Sequence, residues 1–486
     1  MIRSRGITGC LALCAVVACG ESGRENDDAS ASAGLTGGAV TATGSTGTPT
    51  TSATTQGESE VGSASATQGM TTTEPVTTSE SASGTTTTTT MPVDTTEGPE
   101  TSGSTGDGTT GEPCGGGMGG VFDFSYLWVA NTDQGSISKV NTMTMVEEAR
   151  YFADSSQSGG ASPSRTSVSI DGRFVVVSNR GTGTVTKVAA NVADCVDANG
   201  NGMIDTSLSK DDLRPWGADE CVMWNTTVNP PIFGYAGGPR GTTWAPGEFD
   251  EATCKFVNQK VWVGWLDTPQ HATIGKFDGA TGVQEASVGI DGWTQDVLVA
   301  PYGGAVDAFG HVWFIAAYRE VFRIDMETLE LKRWPSQGVD FYGMTVDSKG
   351  DVYFGTYNNQ PMARFNHLTE TFEKVNGPGQ NHRGIAVDKT GMAWSATNAG
   401  GTNGCGLEQV DTNTMTVVQF HTFPQCGTPV GVSIDVDGFV WMVDYSGWAY
   451  RIDPNTYEKV LVPIAGDHYT YSDMTGGGLV NAVMPG

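Results

Sequence analysis

The chain has 486 residues, 54 of them acidic and 26 basic, for a net charge of −28 at neutral pH. Sequence-independent binding of nucleic acid needs a basic surface, and a surplus of this sign repels phosphate, so nucleic acid is not an expected partner. All 43 aromatic residues fall in 122–486, and this part alone is long enough to bury a sizeable core.

At the N-terminus Arg3 and Arg5 precede a short apolar run, Ile7 to Val17. It is well under the 18 or more residues of a spanning helix, and it fits a signal peptide at 1–18. The run ends Val16-Val17-Ala18-Cys19-Gly20, which resembles the lipobox of bacterial lipoproteins. That resemblance implies cleavage before Cys19, a diacylglycerol on its thiol and a lipid bilayer as partner. Gly20 stands where an Asp often retains such proteins at the inner membrane. The expected location is therefore the outer membrane, with the protein facing the periplasm or the cell surface.

Residues 19–121 form the next segment. From 20 to 121 there is no aromatic residue, and 13 acids stand against Arg24 as the only base. Such a stretch cannot bury enough apolar surface to offset chain entropy, so it reads as a disordered Thr/Ser/Gly-rich linker. A flexible coil of about 100 residues averages roughly 50–60 Å end to end, enough to hold a domain well away from its membrane.

From Leu127 the chain repeats with a period of about 40–50 residues. One piece is an apolar strand, an Asp, a turn ending in Gly, and a strand that opens on aromatics. It is seen in Val346-Asp347-Ser348-Lys349-Gly350-Asp351-Val352-Tyr353, and again at Val306 to Trp313, Val387 to Trp394 and Ile434 to Trp441. The Asp opens the turn by bonding its own backbone, and Gly takes the left-handed position. A second piece ends a strand on Asp or Asn with Thr three residues later. It occurs at Asn141, Asp278, Asp325, Asn366, Asp411 and Asp453. Period-two alternation with frequent turns predicts four-stranded units stacked radially, an all-β seven-bladed propeller over 122–486. Blades are expected to begin near 126, 162, 239, 291, 337, 378 and 425. The first lacks one strand, and the segment from Tyr471 to Val483 is expected to complete it and close the ring. The Gly-x-x-Val-Asp-x-x-Gly-x-Val-Trp pattern resembles the NHL, YVTN and virginiamycin B lyase-like group of propellers. The resemblance specifies fold more than function.

An insertion at about 191–238, between blades two and three, holds Asp197-Ala198-Asn199-Gly200-Asn201-Gly202-Met203-Ile204-Asp205. Oxygen side chains on Asp197, Asn199, Asn201 and Asp205, with Met203 at position seven and Gly202 at position six, have the spacing of an EF-hand-type calcium loop. Position twelve is Leu208 in place of Glu, so weak, structural calcium binding is expected, with Asp211, Asp212 or Glu220 available to close the shell. Six cysteines in an exported domain predict up to three disulfides. Cys195 and Cys221 bracket the calcium loop, Cys405 and Cys426 flank a strand of blade six, and Cys114 and Cys254 remain.

No nucleophile elbow, phosphate loop or zinc-protease pattern is present. Just before or at the inner strands stand Arg165, Arg240, Tyr302, Tyr342, His382 and Arg383, expected at one mouth of the central channel. They either hold a polar or anionic ligand or, for the arginines, pair with Asp340, Asp473 and other acids to satisfy a polar channel. The lyase-like resemblance implies a catalytic His, a Glu-x-His pair in the next blade, and magnesium. His382 matches the first, but Thr428-Pro429-Val430-Gly431 lacks the rest. The expected function is therefore non-catalytic recognition of a polar ligand, or of a protein or glycan at a cell surface. The alternative is a lyase-like or other propeller enzyme acting at the channel mouth.

Overall fold

The computed structural model describes residues 125–228, 236–293, 299–317, 319–398, 401–471 and 473–484. Seven antiparallel sheets follow one another, and within each the strands neighbour in space as they do in sequence. The inner strands Pro163–Val168, Thr242–Ala245, Tyr302–Val306, Phe341–Val346, His382–Val387 and Pro429–Ile434 pack side by side around one axis. The result is a seven-bladed β-propeller. Among the described residues no helix is long and apolar enough to cross a membrane.

The repeated Asp does more than open a turn. Asp307 accepts from the backbone N–H of Phe309 and His311, and its second oxygen takes the indole N–H of Trp313 at 2.8 Å. Asp388 serves Trp394 and Asp435 serves Trp441 in the same way, at 2.9 and 2.8 Å. Each Trp is thereby buried with its one polar atom satisfied, which lets its large ring join the core at no hydrogen-bonding cost. Gly310, Gly350, Gly391 and Gly438 close these turns at φ between 83° and 88°, where a side chain would be strained. The second repeated turn also forms as expected. Asn141, Asp325, Asn366, Asp411 and Asp453 each accept from the backbone two and three residues on, and Asp278 accepts from Thr281.

Two boundaries differ from the sequence reading. The insertion lies inside blade two, because the chain returns from it to supply that blade's fourth strand, Val222–Thr227, paired with Thr184–Ala189. Blade four begins at Tyr302, since Gln284–Asp291 is the outer strand of blade three. Blade three also carries a small hairpin, Glu248–Asp250 with Lys255–Val257, between its first two strands.

Ring closure is made by 467–471 and 473–475. Blade one has three regular strands, Tyr126–Asn131, Ser136–Asn141 and Glu147–Phe152. Against the first of them Trp128 N–H donates to Met474 O at 2.9 Å and Thr132 N–H to Asp467 O at 2.8 Å. Asn131 bridges His468, and Tyr471 bridges Arg165 of blade two. The stretch expected to continue as strand is instead a short helix, Gly477–Val483, lying against the inner strands of blades four to seven. Asp473 starts it by accepting from the N–H groups of Gly476, Gly478 and Leu479.

Candidate functional site

Five inner strands share one irregularity. Pairing slips between Pro163 and Arg165, Tyr302 and Ala305, Phe341 and Gly343, His382 and Ile385, and Pro429 and Gly431. A bulge re-aims the side chains beside it, and repetition at one level around the ring gathers them on the axis. Glycines permit the close approach: a Cβ on Gly343 would sit 1.9 Å from the carbonyl oxygen of Arg383, and one on Gly384 would sit 2.6 Å from that of Val430.

The gathered residues are Arg165, Arg240, Tyr302, Tyr342 and Arg383, joined by Tyr469 and Tyr471 from the closing segment. Arg165 lies over the rings of Tyr471 and Tyr302, at 3.9 and 4.1 Å from their centroids. Arg240 lies over Tyr302 at 5.5 Å and Arg383 over Tyr342 at 5.7 Å. Tyr469 hydroxyl bonds those of Tyr302 and Tyr342 at 2.6 and 2.8 Å, and Arg383 Nη1 donates to Tyr471 hydroxyl at 3.1 Å. Burial first, then neighbouring tyrosines, pushes the Tyr342 hydroxyl well above its ordinary pKa. Burial likewise raises Tyr471. Both remain neutral phenols and supply no negative charge to the arginines.

This cluster is closed rather than open. None of its seven members exceeds 5% exposure. The two carboxylates named as partners of the arginines are engaged elsewhere. Asp340 accepts from Asn358 and Gln360 side chains at 2.8 and 3.0 Å, and Asp473 caps the C-terminal helix.

His382, also gathered at this level by sequence, belongs to a different contact. Its Nε2 bonds Glu408 Oε2 at 2.8 Å, and its Nδ1 lies 3.2 Å from both the hydroxyl and the carbonyl of Thr356. Histidine and glutamate are both fully buried. The imidazole therefore joins two neighbouring blades and offers no free nitrogen to the channel.

In the insertion, the four side chains bond one another and the backbone of their own loop. Asp197 accepts from the backbone of Gly200, Asn201 and Gly202, while the amides of Asn199 and Asn201 donate to Asp205 Oδ2 at 2.9 and 2.8 Å. Those amides, then Arg214, hold the Asp205 carboxyl below the usual range. The Met203 side chain is 69% exposed. Glu220 is engaged otherwise, accepting from the N–H groups of Ala198, Asn199 and Asp205 so that it ties the two ends of the loop. Asp212 accepts from Leu208 N–H, and Asp211 pairs with Lys210.

Cys195–Cys221 and Cys405–Cys426 are disulfides, as the spacing suggested. Cys254 is disulfide-bonded as well. Cys114 and Cys19 lie outside the described residues. Sequence reasoning missed Tyr469 and Tyr471, whose signal was the alternation Tyr469-Thr470-Tyr471 in a segment already assigned to ring closure.

No family model matches the chain, and no curated protein matches it. Among solved structures it is similar to virginiamycin B lyase from Staphylococcus aureus, at 13% identity over 63% of this chain and 85% of that one, with a TM-score of 0.43. It is similar to AztD from Citrobacter koseri at 11% identity, over 71% and 97% of the two chains, with a TM-score of 0.45. A functionally unknown protein from Desulfotomaculum acetoxidans gives 12%, over 71% and 98%, with a TM-score of 0.48. At these identities and overlaps the likeness reaches no further than architecture, and what the chain's own sheets establish is a seven-bladed β-propeller.

Proposed function

We propose that the chain is a lipoprotein anchored in the outer membrane through Cys19, with its propeller held on the 19–121 tether as a non-catalytic recognition module. The observation that supports recognition over catalysis is His382. A general base must reach the proton that it removes, and this imidazole is fully buried with both nitrogens in use. The arginines and tyrosines around it are shut in as well, so a polar ligand, protein or glycan is met on the outer faces of the ring. Metabolic labelling with a fatty-acid probe tests the anchor: the wild type should be tagged and Cys19→Ser should not. Equal labelling of both would remove the lipoprotein reading.

Calcium belongs to the same proposal as a weak structural ion in the insertion. The spacing of Asp197, Asn199, Asn201 and Asp205 on one loop, with both Asn side chains held at Asp205, supports it, while the contact between Arg214 and Asp205, 3.1 Å, favours low affinity because the guanidinium competes for the same carboxylate. Millimolar calcium should protect 191–228 from hydrogen exchange in the wild type and not in Asp197→Ala. An unchanged exchange rate in both would leave the segment a plain turn.

A further inference from the structure

Arg165 is 1% exposed, and its Nε, Nη1 and Nη2 all lack a hydrogen-bond acceptor among the described residues. A buried guanidinium is costly unless its charge and its five N–H donors are answered. The stacked rings of Tyr302 and Tyr471 answer part of the charge through their faces, but they accept no N–H in the guanidinium plane. Like charge is close by. Arg165 and Arg240 stand over the same Tyr302 ring at 4.1 and 5.5 Å, so the two guanidiniums lie within about 10 Å of each other. Arg383 holds the hydroxyl of the tyrosine on which Arg165 stacks.

Beside Arg165 is a cavity of about 10 Å³, lined by Tyr342, Tyr471, Met344, Ile385 and the glycines of three inner strands. That is room for one particle of about the size of a water molecule. The missing partner is therefore small and an acceptor, and the unanswered guanidinium charge favours an anion over a neutral water. Polyatomic ligands are too large for the space, and the tyrosines that cover it are at most 5% exposed.

We propose that the channel encloses a single monatomic anion of the chloride class, held by Arg165 between the closing segment and the inner strands. The ion offsets the guanidinium charge and accepts the N–H groups that the protein leaves unmet. Because Tyr471 comes from the chain's last segment and Arg165 from blade two, the ion stabilises the closed ring in preference to the open one.

Bromide is the probe. Crystals of the full chain grown in bromide should show one anomalous peak within hydrogen-bonding distance of the Arg165 guanidinium. In solution, the unfolding midpoint of the full chain should rise with sodium bromide above its value in sodium gluconate at equal ionic strength, since gluconate cannot enter the cavity. Arg165→Lys keeps the charge but loses the planar donor fork, and should weaken the bromide response at least tenfold. Should that variant fail to fold, the wild-type crystal and the bromide–gluconate comparison still decide. Absence of an anomalous peak at Arg165, with a midpoint that follows ionic strength alone, overturns the proposal. A peak only at surface sites has the same meaning.

Discussion

A chain ending at Gly466 is expected to lose cooperative unfolding and to aggregate. The deleted segment donates no blade of its own, yet it carries contacts that no other part of the ring replaces. Trp128 N–H and Thr132 N–H would lose Met474 O and Asp467 O, and Thr132 hydroxyl would lose the N–H of Tyr469. The first strand of blade one would then expose an unpaired edge, and its Leu127, Trp128 and Val129 are now fully buried. Tyr469, Tyr471, Met474, Leu479 and Ala482 would leave the core with it. At roughly 1.5–3 kcal/mol for each large side chain, the loss is comparable to the whole stability of a typical domain, about 5–15 kcal/mol. Thermal melts followed by circular dichroism, with size-exclusion chromatography, give the result directly. A truncated protein that stays monomeric with an unchanged midpoint would show that closure does not depend on this segment.

The blades were legible in the sequence because their signals are local. An Asp, a Gly and a Trp within seven residues fix a turn, a left-handed backbone and a buried indole, and the same three contacts recur at Asp307, Asp388 and Asp435. The insertion was misplaced because strand order across it is not local. Val222–Thr227 carries no feature that says to which blade it returns, and only its pairing with Thr184–Ala189 decides. The helix at Gly477–Val483 was hidden for a related reason. Two glycines and two valines in Gly-Gly-Leu-Val-Asn-Ala-Val argue against helix by propensity, but the half-buried Asp473 gathers three N–H groups and the inner strands supply an apolar seat. The candidate site was half legible. Large polar residues at the beginnings of four inner strands placed Arg240, Tyr302, Tyr342 and Arg383 on the axis. Their burial depends on two tyrosines brought from the far end of the chain, which periodicity within a blade cannot show.

His382 is the residue whose role the fold changes most, and its substitution should act on stability. His382→Ala leaves the Glu408 carboxylate fully buried without its partner, and Glu408 Oε1 already has no other. Removing one member of such a pair is expected to cost about 3–5 kcal/mol, because a desolvated charge or donor is left unanswered. The pair joins the start of blade six's inner strand to its third strand, Gly406–Asp411, while Nδ1 reaches Thr356 of blade five. The damage should therefore appear as lowered urea midpoints with increased hydrogen exchange in both blades. Two further variants separate packing from pairing. His382→Gln keeps a donor toward Glu408 and should lose less than His382→Ala. His382→Phe combined with Glu408→Leu replaces the pair by apolar groups and should recover most of the loss, since buried pairs are often matched by hydrophobic side chains of similar volume. A catalytic imidazole predicts a different pattern: His382→Gln would unfold like the wild type, and the double variant would be no better than either single change. Urea denaturation of the four chains distinguishes the two, and near-identical midpoints throughout would return His382 to the candidates for catalysis.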